Sequence, residues 1–168
     1  WRNAAQTLRI ERLRAADALS ETVTGLLAEL GMAGGRFAVE LEDNPESLPQ
    51  SHGLERCEFM VSANPGQPLR ALRKVASGGE LARISLAIEV ATLGSDPVPT
   101  MVFDEVDAGI GGAVAETVGR KLRALGGRCQ VLAVTHLAQV ASFGNRHLRV
   151  AKQTDGEATE SQVIPMLG

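Results

Sequence analysis

The sequence predicts an α/β fold, in which a mostly parallel sheet is flanked by helices and preceded by one long N-terminal helix. Residues 1–30 contain no proline and no glycine before Gly25, and their apolar positions recur every three, four or seven residues. Two short apolar runs, 100–103 and 131–134, are typical of strands covered on both faces, and a helical segment lies between them. Such a strand-helix-strand unit is expected to be parallel and right-handed.

Composition limits the kind of protein this can be. The 168 residues are enough for one domain with a proper core, and the net charge of −3 with 3% aromatic residues does not favour a nucleic-acid surface. Cys57 and Cys129 lie far apart, which predicts two buried, reduced thiols in a cytosolic protein. No apolar run reaches the length of a membrane span. Because the chain starts at Trp1 inside a helix, we expect it to be a piece of something longer.

The N-terminal helix has one apolar stripe and a charged opposite face. Two interpretations remain open: the end of a coiled-coil arm, or an amphipathic helix lying on its own domain. Glycines from Gly31 onward end the helix. The predicted apolar stripe consists of Leu8, Ala15, Leu19, Val23, Leu26 and Leu30.

Two strands follow the helix and are expected to pair antiparallel. Residues 37–42 alternate with period two, and residues 57–63 form the second strand. The polar segment 43–56 between them is predicted to be a loop in which His52 is a surface histidine. A second loop over 66–76 carries three cations that could favour phosphate nearby: Arg70, Arg73 and Lys74.

A glycine pair marks the start of the next helix. Ser77 and Glu80 have the spacing of a capping box, and Gly78 and Gly79 between them leave the backbone open to a ligand. A helix N-terminus with free amides suits an anion such as phosphate, although these residues alone equally describe an ordinary helix cap. The helix itself is apolar around most of its girth, so we expect it to be largely buried and to end at Gly94.

Polar side chains directly follow the two apolar strands. Asp104 and Glu105 end the first strand, and His136 follows the second. Because ligands bind at the carboxyl ends of parallel strands, we expect these three residues to share one rim. An aspartate there can hold Mg²⁺ through water, a glutamate can accept a proton from an attacking water, and a histidine can bond a phosphate.

The remaining elements close the predicted domain. A helix over 113–125 follows a glycine-rich loop, a short helix lies near 137–142, and a strand near 147–151 and an extended piece near 161–165 complete the chain. The inner face of the longer helix is predicted to consist of Val114, Val118, Leu122 and Leu125.

Three stretches carry a family resemblance. SGGELARISLA, FDEVDAGIGG and VTHLAQVA resemble, in order and spacing, the signature motif, the Walker B strand with its D-loop, and the switch histidine of ABC-type ATPases. Within that superfamily they most resemble the RecN family of SMC-like DNA-repair ATPases. The resemblance implies that residues 31–168 are the C-terminal lobe of an ATPase head and that residues 1–30 are the end of a coiled-coil arm.

The resemblance also implies a role for the acid pair and the histidine. Asp104 would position Mg²⁺, Glu105 would act as general base on the hydrolytic water, and His136 would contact the γ-phosphate of ATP.

The glycine pair would act on a second protomer. Asp107 would join the dimer interface, and Ala76 stands where leucine is frequent in the family. The γ-phosphate of an ATP held by the other protomer would be bound by Ser77, Gly78, Gly79 and Glu80.

No G-x-x-x-x-G-K-[ST] phosphate loop occurs in the sequence. In SMC-like proteins that element lies in an N-terminal lobe beyond a long coiled coil. The resemblance therefore implies half of an ATPase head, inactive alone, whose cofactors are ATP and Mg²⁺. Its partners would be the N-terminal Walker A lobe of the same protein, a second copy in an ATP-bridged homodimer, and DNA in double-strand break repair and recombination. Its location would be cytoplasmic and nucleoid-associated, with no membrane partner.

Two other functions stay open. One is a self-sufficient metal-dependent phosphohydrolase that uses Asp104, Glu105, Asp107 and His136. The other is a non-catalytic assembly module in which ATP binding serves only dimerisation. Direct DNA binding by this chain is the least supported, because its basic residues are scattered.

Overall fold

A computed structural model describes residues 1–43, 52–93, 98–155 and 158–166. The described strands form three sheets: an antiparallel sheet β1–β2–β3, a parallel pair β4–β5 and an antiparallel pair β6–β7. The predicted α/β class is confirmed, but the parallel part of the described fold is only two strands wide. In chain order the elements are α1 (Arg2–Glu29), β1 (Arg36–Asp43), β2 (Glu55–Ser62), β3 (Arg70–Ala71), a 3₁₀ turn (Leu72–Lys74), α2 (Gly78–Ala91), β4 (Thr100–Phe103), α3 (Gly112–Leu125), β5 (Gln130–Ala133), α4 (Ala138–Ala141), β6 (His147–Asp155) and β7 (Ala158–Met166).

The second half of α1 packs on the rest of the chain. It contacts β1 and α2, and its buried side chains follow helical spacing at 16, 23, 27 and 30. Leu8 is exposed and Ala16 replaces Ala15 on the buried face, so the predicted stripe is wrong at these positions. The first half of α1 also exposes Trp1, Ile10 and Leu13, because few described elements cover it.

Side-chain hydroxyls join α1 to the edge of the first sheet. The amide of Phe37 donates to Thr24 Oγ1 and the amide of Val39 donates to Ser20 Oγ, both at 3.0 Å. The helix thereby satisfies β1 amides that an open sheet edge would leave unpaired. A buried cluster beneath this contact includes Leu27 and Phe37.

β1 and β2 pair antiparallel, as predicted, from Arg36 opposite Ser62 to Asp43 opposite Glu55. The predicted loop over 66–76 in fact contains β3 and the 3₁₀ turn, since a two-residue strand leaves no periodic pattern to detect. Most of the predicted loop over 43–56 lies outside the described residues, but His52 is exposed as predicted.

β4 and β5 are parallel neighbours with α3 between them in sequence, as predicted. The prediction that both faces of these strands are covered is wrong. Val102 is 67% exposed, Val134 is 61% exposed, and Leu132 is exposed on the same face. Phe103 points to the other face and is buried, because the described helices cover only that side.

The helices α2 and α3 agree with their predicted spans. α2 buries Ile84, Leu86 and Ala87 but leaves Leu81 exposed, so it is less covered than predicted, and its predicted end at Gly94 lies outside the described residues. On α3, Val114 is only half-buried, and Ala115 is buried instead.

The last two strands form a hairpin. The predicted strand and extended piece are confirmed as β6 and β7, which pair antiparallel over their whole length. Their large apolar side chains, including Leu148, Val150 and Val163, are exposed, so the hairpin does not close the core as expected.

Both cysteines are free. Cys57 is exposed, so the prediction of a buried thiol is wrong there. It lies on the same face of β2 as the buried Val61, but it lines an open cleft beside α1. Cys129 is half-buried. In the part of the chain that the structure describes, every helix is too short or too polar to cross a bilayer.

Candidate functional site

The glycine pair forms the first turn of α2, as predicted. Ser77 is the N-cap residue, with extended backbone, and its Oγ accepts a hydrogen bond from the amide of Glu80 at 3.4 Å. This is the serine half of the predicted capping box. The other amides of the first turn and the positive end of the helix dipole remain at this terminus.

Both glycines lie against the loop that follows β4. A Cβ on Gly79 would lie 2.9 Å from Ala108 Cβ and 3.3 Å from the carbonyl oxygens of Ala108 and Glu105. A Cβ on Gly78 would collide with the carboxylate of Glu105. The absent side chains are therefore what lets α2 begin directly on the acidic loop.

The acid pair has an unusual backbone. Glu105 has φ of +57°, and among the described residues it is the one non-glycine residue with a positive φ. Such a conformation costs about 1–3 kcal/mol and is concentrated at functional sites. It turns the Glu105 carboxylate toward Gly78, where the dipole of α2 favours a negative charge. The amide of Glu105 donates to Asp104 Oδ1 at 2.9 Å, and the Asp104 side chain remains exposed.

Asp107 is buried, at 2% exposed, and connects the acidic loop to the end of β5. Its Oδ2 accepts hydrogen bonds from Thr135 Oγ1 and from the amide of His136, the latter at 3.1 Å. Burial by itself raises the pKa of Asp107, but these two hydrogen bonds and the nearby His136 ring outweigh it, so the pKa is lowered.

His136 presents its ring to solvent at the same rim. Its side chain is 71% exposed, and Nδ1 lies 3.3 Å from Asp107 Oδ2. The amide of Val134 donates to the carbonyl of Phe103 at 2.9 Å, so the two strand ends that carry the acid pair and the histidine are direct neighbours. The predicted rim of Asp104, Glu105 and His136 therefore has its strands side by side.

An open cleft of about 500 Å³ lies between α2 and β4. Gly78, Asp104 and Glu105 line one end of it, and Leu81 and Val102 line its apolar part. The structure thus brings the glycine pair and the acid pair into one site. Arg70, Arg73 and Lys74 instead line a separate groove that also contains Glu40, Glu42 and Glu58.

Two residues of the site were missed from the sequence. Arg83 is 7% exposed, its Nη1 donates to the carbonyl of Ala108 at 2.8 Å, and burial lowers its pKa while Glu80 opposes that shift. Arg83 is the one charged residue in the run LARISLAI, which is a signal that could have identified it. Thr135 directly precedes His136 at the end of β5, and no pattern in the sequence indicates its bond to Asp107.

Among the described residues, no three His, Cys, Asp or Glu side chains are grouped closely enough to hold a metal ion. Asp104 offers one exposed carboxylate, which suits Mg²⁺ when water and phosphate oxygens supply the other ligands.

Known proteins resemble the chain along its whole length. No protein-family model matches it. It is 54% identical over 180 aligned positions to the DNA repair protein RecN of Xylella fastidiosa (strain Temecula1), covering 100% of this chain and 32% of that protein. The RecN proteins of Vibrio cholerae and Deinococcus radiodurans are 46% and 44% identical over 97% of this chain, which spans 29% and 28% of their lengths.

Solved structures of SMC head domains have the same fold. The Smc head of Pyrococcus yayanosii with a coiled coil and joint has a TM-score of 0.64 and 24% identity, covering 92% of this chain and 28% of that one. A chain from a structural study of ATP-driven dimerisation of SMC ATPases has a TM-score of 0.54 and 24% identity, covering 92% and 87%. The chain spans about a third of the length of its curated relatives, and along that segment it is similar to the RecN proteins from end to end.

Proposed function

We propose that the chain is the C-terminal half of a RecN-like ATPase head, which binds ATP between two protomers and acts in DNA double-strand break repair and recombination. The observation that carries this proposal is the packing of the glycine pair at the start of α2 onto Glu105 and Ala108. The start of α2 and the pair of acids line the same cleft, and a helix N-terminus suits a phosphate, which supports the proposal. The names of the RecN relatives and the SMC head fold support it.

In this proposal each group at the rim has one task. Asp104 holds Mg²⁺ through water, and the ion neutralises charge on the phosphates of ATP. Glu105 accepts a proton from the attacking water, and its left-handed backbone presents the carboxylate beside the helix terminus. His136, exposed at the neighbouring strand end, contacts the γ-phosphate.

The glycine pair would serve the opposite protomer. Amides at the start of α2, with the Ser77 hydroxyl and the nearby Glu80, would bind the γ-phosphate of an ATP seated on the partner's Walker A lobe. Asp107 would lie near that dimer interface. ATP would thus be shared by two chains, which fits described residues that group no three metal-binding side chains of their own.

The uncovered apolar surfaces suit the missing partners. The exposed face of β4 and β5, with Val102 and Val134, is where the Walker A lobe of the same protein would pack. In α1, the exposed Ile10 and Leu13 would face the other helix of a coiled coil in which residues 1–30 are the end of the returning arm. Residues 31–168 would then be the lobe itself, working on DNA in the cytoplasm.

Reconstitution tests the proposal. The chain is mixed with the N-terminal third of its RecN relative, and ATP hydrolysis is measured by phosphate release. We expect no turnover by the chain alone, turnover by the mixture, and its loss in Glu105→Gln. The matched control Glu89→Gln removes a carboxylate from the same cleft, further along α2, and keeps turnover. A mixture that folds and associates but hydrolyses nothing would refute the enzymatic part.

The two alternatives give different results in the same experiment. A non-catalytic assembly module would dimerise with ATP and release no phosphate. A self-sufficient phosphohydrolase would bind Mg²⁺ or Mn²⁺ without a partner, measurable as heat in calorimetry, but Asp107 is already bonded to Thr135 and His136 and is not free to serve as a ligand. We therefore favour the half-head.

A further inference from the structure

Hydrogen bonds fix the loop after β5 at His136 and at the residues on either side of it. Asp107 Oδ2 accepts from the His136 amide at 3.1 Å, and Thr135 Oγ1 accepts from the Leu137 amide at 3.1 Å. The same Thr135 hydroxyl donates to Asp107, so one buried carboxylate and one hydroxyl fix three consecutive residues. The Oδ2 atom of Asp107 is thus hydrogen-bonded within its own chain.

The Asp107 carboxylate also lies close to the imidazole ring of His136. Nδ1 of His136 lies 3.3 Å from Asp107 Oδ2. Because an ionised carboxylate can only accept hydrogen bonds, a lone pair on Nδ1 would be repelled at this distance, and the contact favours the proton on Nδ1. Nε2 is then the ring nitrogen left for a ligand on the exposed side of the ring, and on a protonated ring Nε2–H can donate to a phosphate oxygen.

We propose that Asp107 and Thr135 are positioning residues for His136, which hold its ring as the Nδ1–H form and direct Nε2 toward the bound phosphate. The identity of that phosphate rests on the proposed function. The tautomer and the orientation of the ring do not, because they follow from contacts within this chain. This gives Asp107 a task within its own protomer in addition to the one proposed at a dimer interface.

The first test needs only this chain. Long-range proton–nitrogen NMR spectra, recorded about two pH units above the ordinary histidine pKa of roughly 6.5, report the tautomer of each of its three histidines. We expect His136 to be mainly Nδ1–H, unlike the exposed His52. Thr135→Val, which keeps the shape and deletes the hydroxyl, should move His136 toward the tautomer mixture of His52, and Thr135→Ser should restore it.

A matched variant controls for loss of a hydroxyl in general. Thr117→Val removes a hydroxyl on α3 that donates to the carbonyl of Ala113 and accepts from Arg120, and it should leave His136 unchanged. Asp107→Ala is the second site variant, with circular dichroism to check that it folds. If wild-type His136 shows the same mixture as His52, or if Thr135→Val leaves its tautomer unchanged, the inference is wrong.

The second test uses the reconstituted head. Thr135→Val should lower kcat for ATP by about 10–100-fold, the range usual for loss of an orienting partner, with KM changed by less than about 2-fold. Thr135→Ser should recover most of the rate, which a merely structural role would not require. An unchanged kcat in Thr135→Val would overturn the inference. A wild-type head without ATPase but with the expected tautomer would refute the proposed function and leave the positioning intact.

Discussion

Replacing Gly79 with alanine measures how tightly α2 packs on the acidic loop. Gly79 is buried and its φ is not positive, so alanine can adopt the same backbone. In a helix alanine is favoured over glycine by up to about 1 kcal/mol. The new Cβ, however, would lie 2.9 Å from Ala108 Cβ and 3.3 Å from two carbonyl oxygens. Since none of these atoms is the end of a flexible side chain, the backbone must move, at a cost of about 1–3 kcal/mol. We expect a net destabilisation of about 1–2 kcal/mol.

Gly78→Ala is the matched control. Its Cβ meets only the Glu105 carboxylate, which can swing away, so we expect stability within about 0.5 kcal/mol of wild type or slightly above it. Urea unfolding followed by circular dichroism gives both values, and each kcal/mol corresponds to about 2–4 °C in Tm for a chain of this size. If Gly79→Ala is as stable as wild type, or if the two variants behave alike, the packing argument is refuted.

Three other predictions concern buried polar groups. Arg83→Met leaves the Ala108 carbonyl without its guanidinium donor and should lower the free energy of unfolding, measured in urea, by about 1–3 kcal/mol. An unchanged urea midpoint of unfolding would mean that the bond contributes nothing to stability. The pKa of Asp107 lies below its usual value of 3.8, so its ionised form stabilises the fold above that pH and the contribution is lost as the pH falls below it. The free energy of unfolding of Asp107→Asn should therefore depend less on pH under about pH 4. Equal pH dependence in the variant and the wild type would contradict this. Glu55→Gln removes a fully buried carboxylate 3.2 Å from Arg12 of α1 and should cost about 1–3 kcal/mol in urea, with Glu58→Gln as the partly exposed control.

Elements with a strong local pattern could be predicted from the sequence. The periodicity of residues 1–30 predicts α1 and period two predicts β1, while β2 and the antiparallel pairing are also predicted correctly. Burial could not be predicted equally well, because it depends on what packs against an element. Ala15 and Ala16 are adjacent alanines, and only the position of β1 decides which of them is covered.

Some residues of the candidate site could likewise be predicted from the sequence, and others could not. The positions of Ser77, Asp104 and Glu105 follow from local signals, a cap before a helix and acids after a strand. The contacts of Arg83 and Thr135 do not, because each joins residues more than twenty positions apart through one hydrogen bond. Single long-range bonds of this kind leave no periodicity, so the residues that orient a site are harder to predict than the residues that perform its chemistry.

The exposed face of β4 and β5 links these points to function. Continuous apolar runs are typical of strands that are covered on both faces, yet Val102 and Val134 are largely exposed in this chain. The same chain buries the charged Arg83. A soluble surface gains nothing from a row of exposed valines, whereas an interface does. The mismatch between pattern and burial therefore supports a covering lobe on this face, beside the cleft that holds Asp104 and Glu105. In the proposed function, a lobe docked on this face would lie beside the acid pair and close the cleft from the side that is now open.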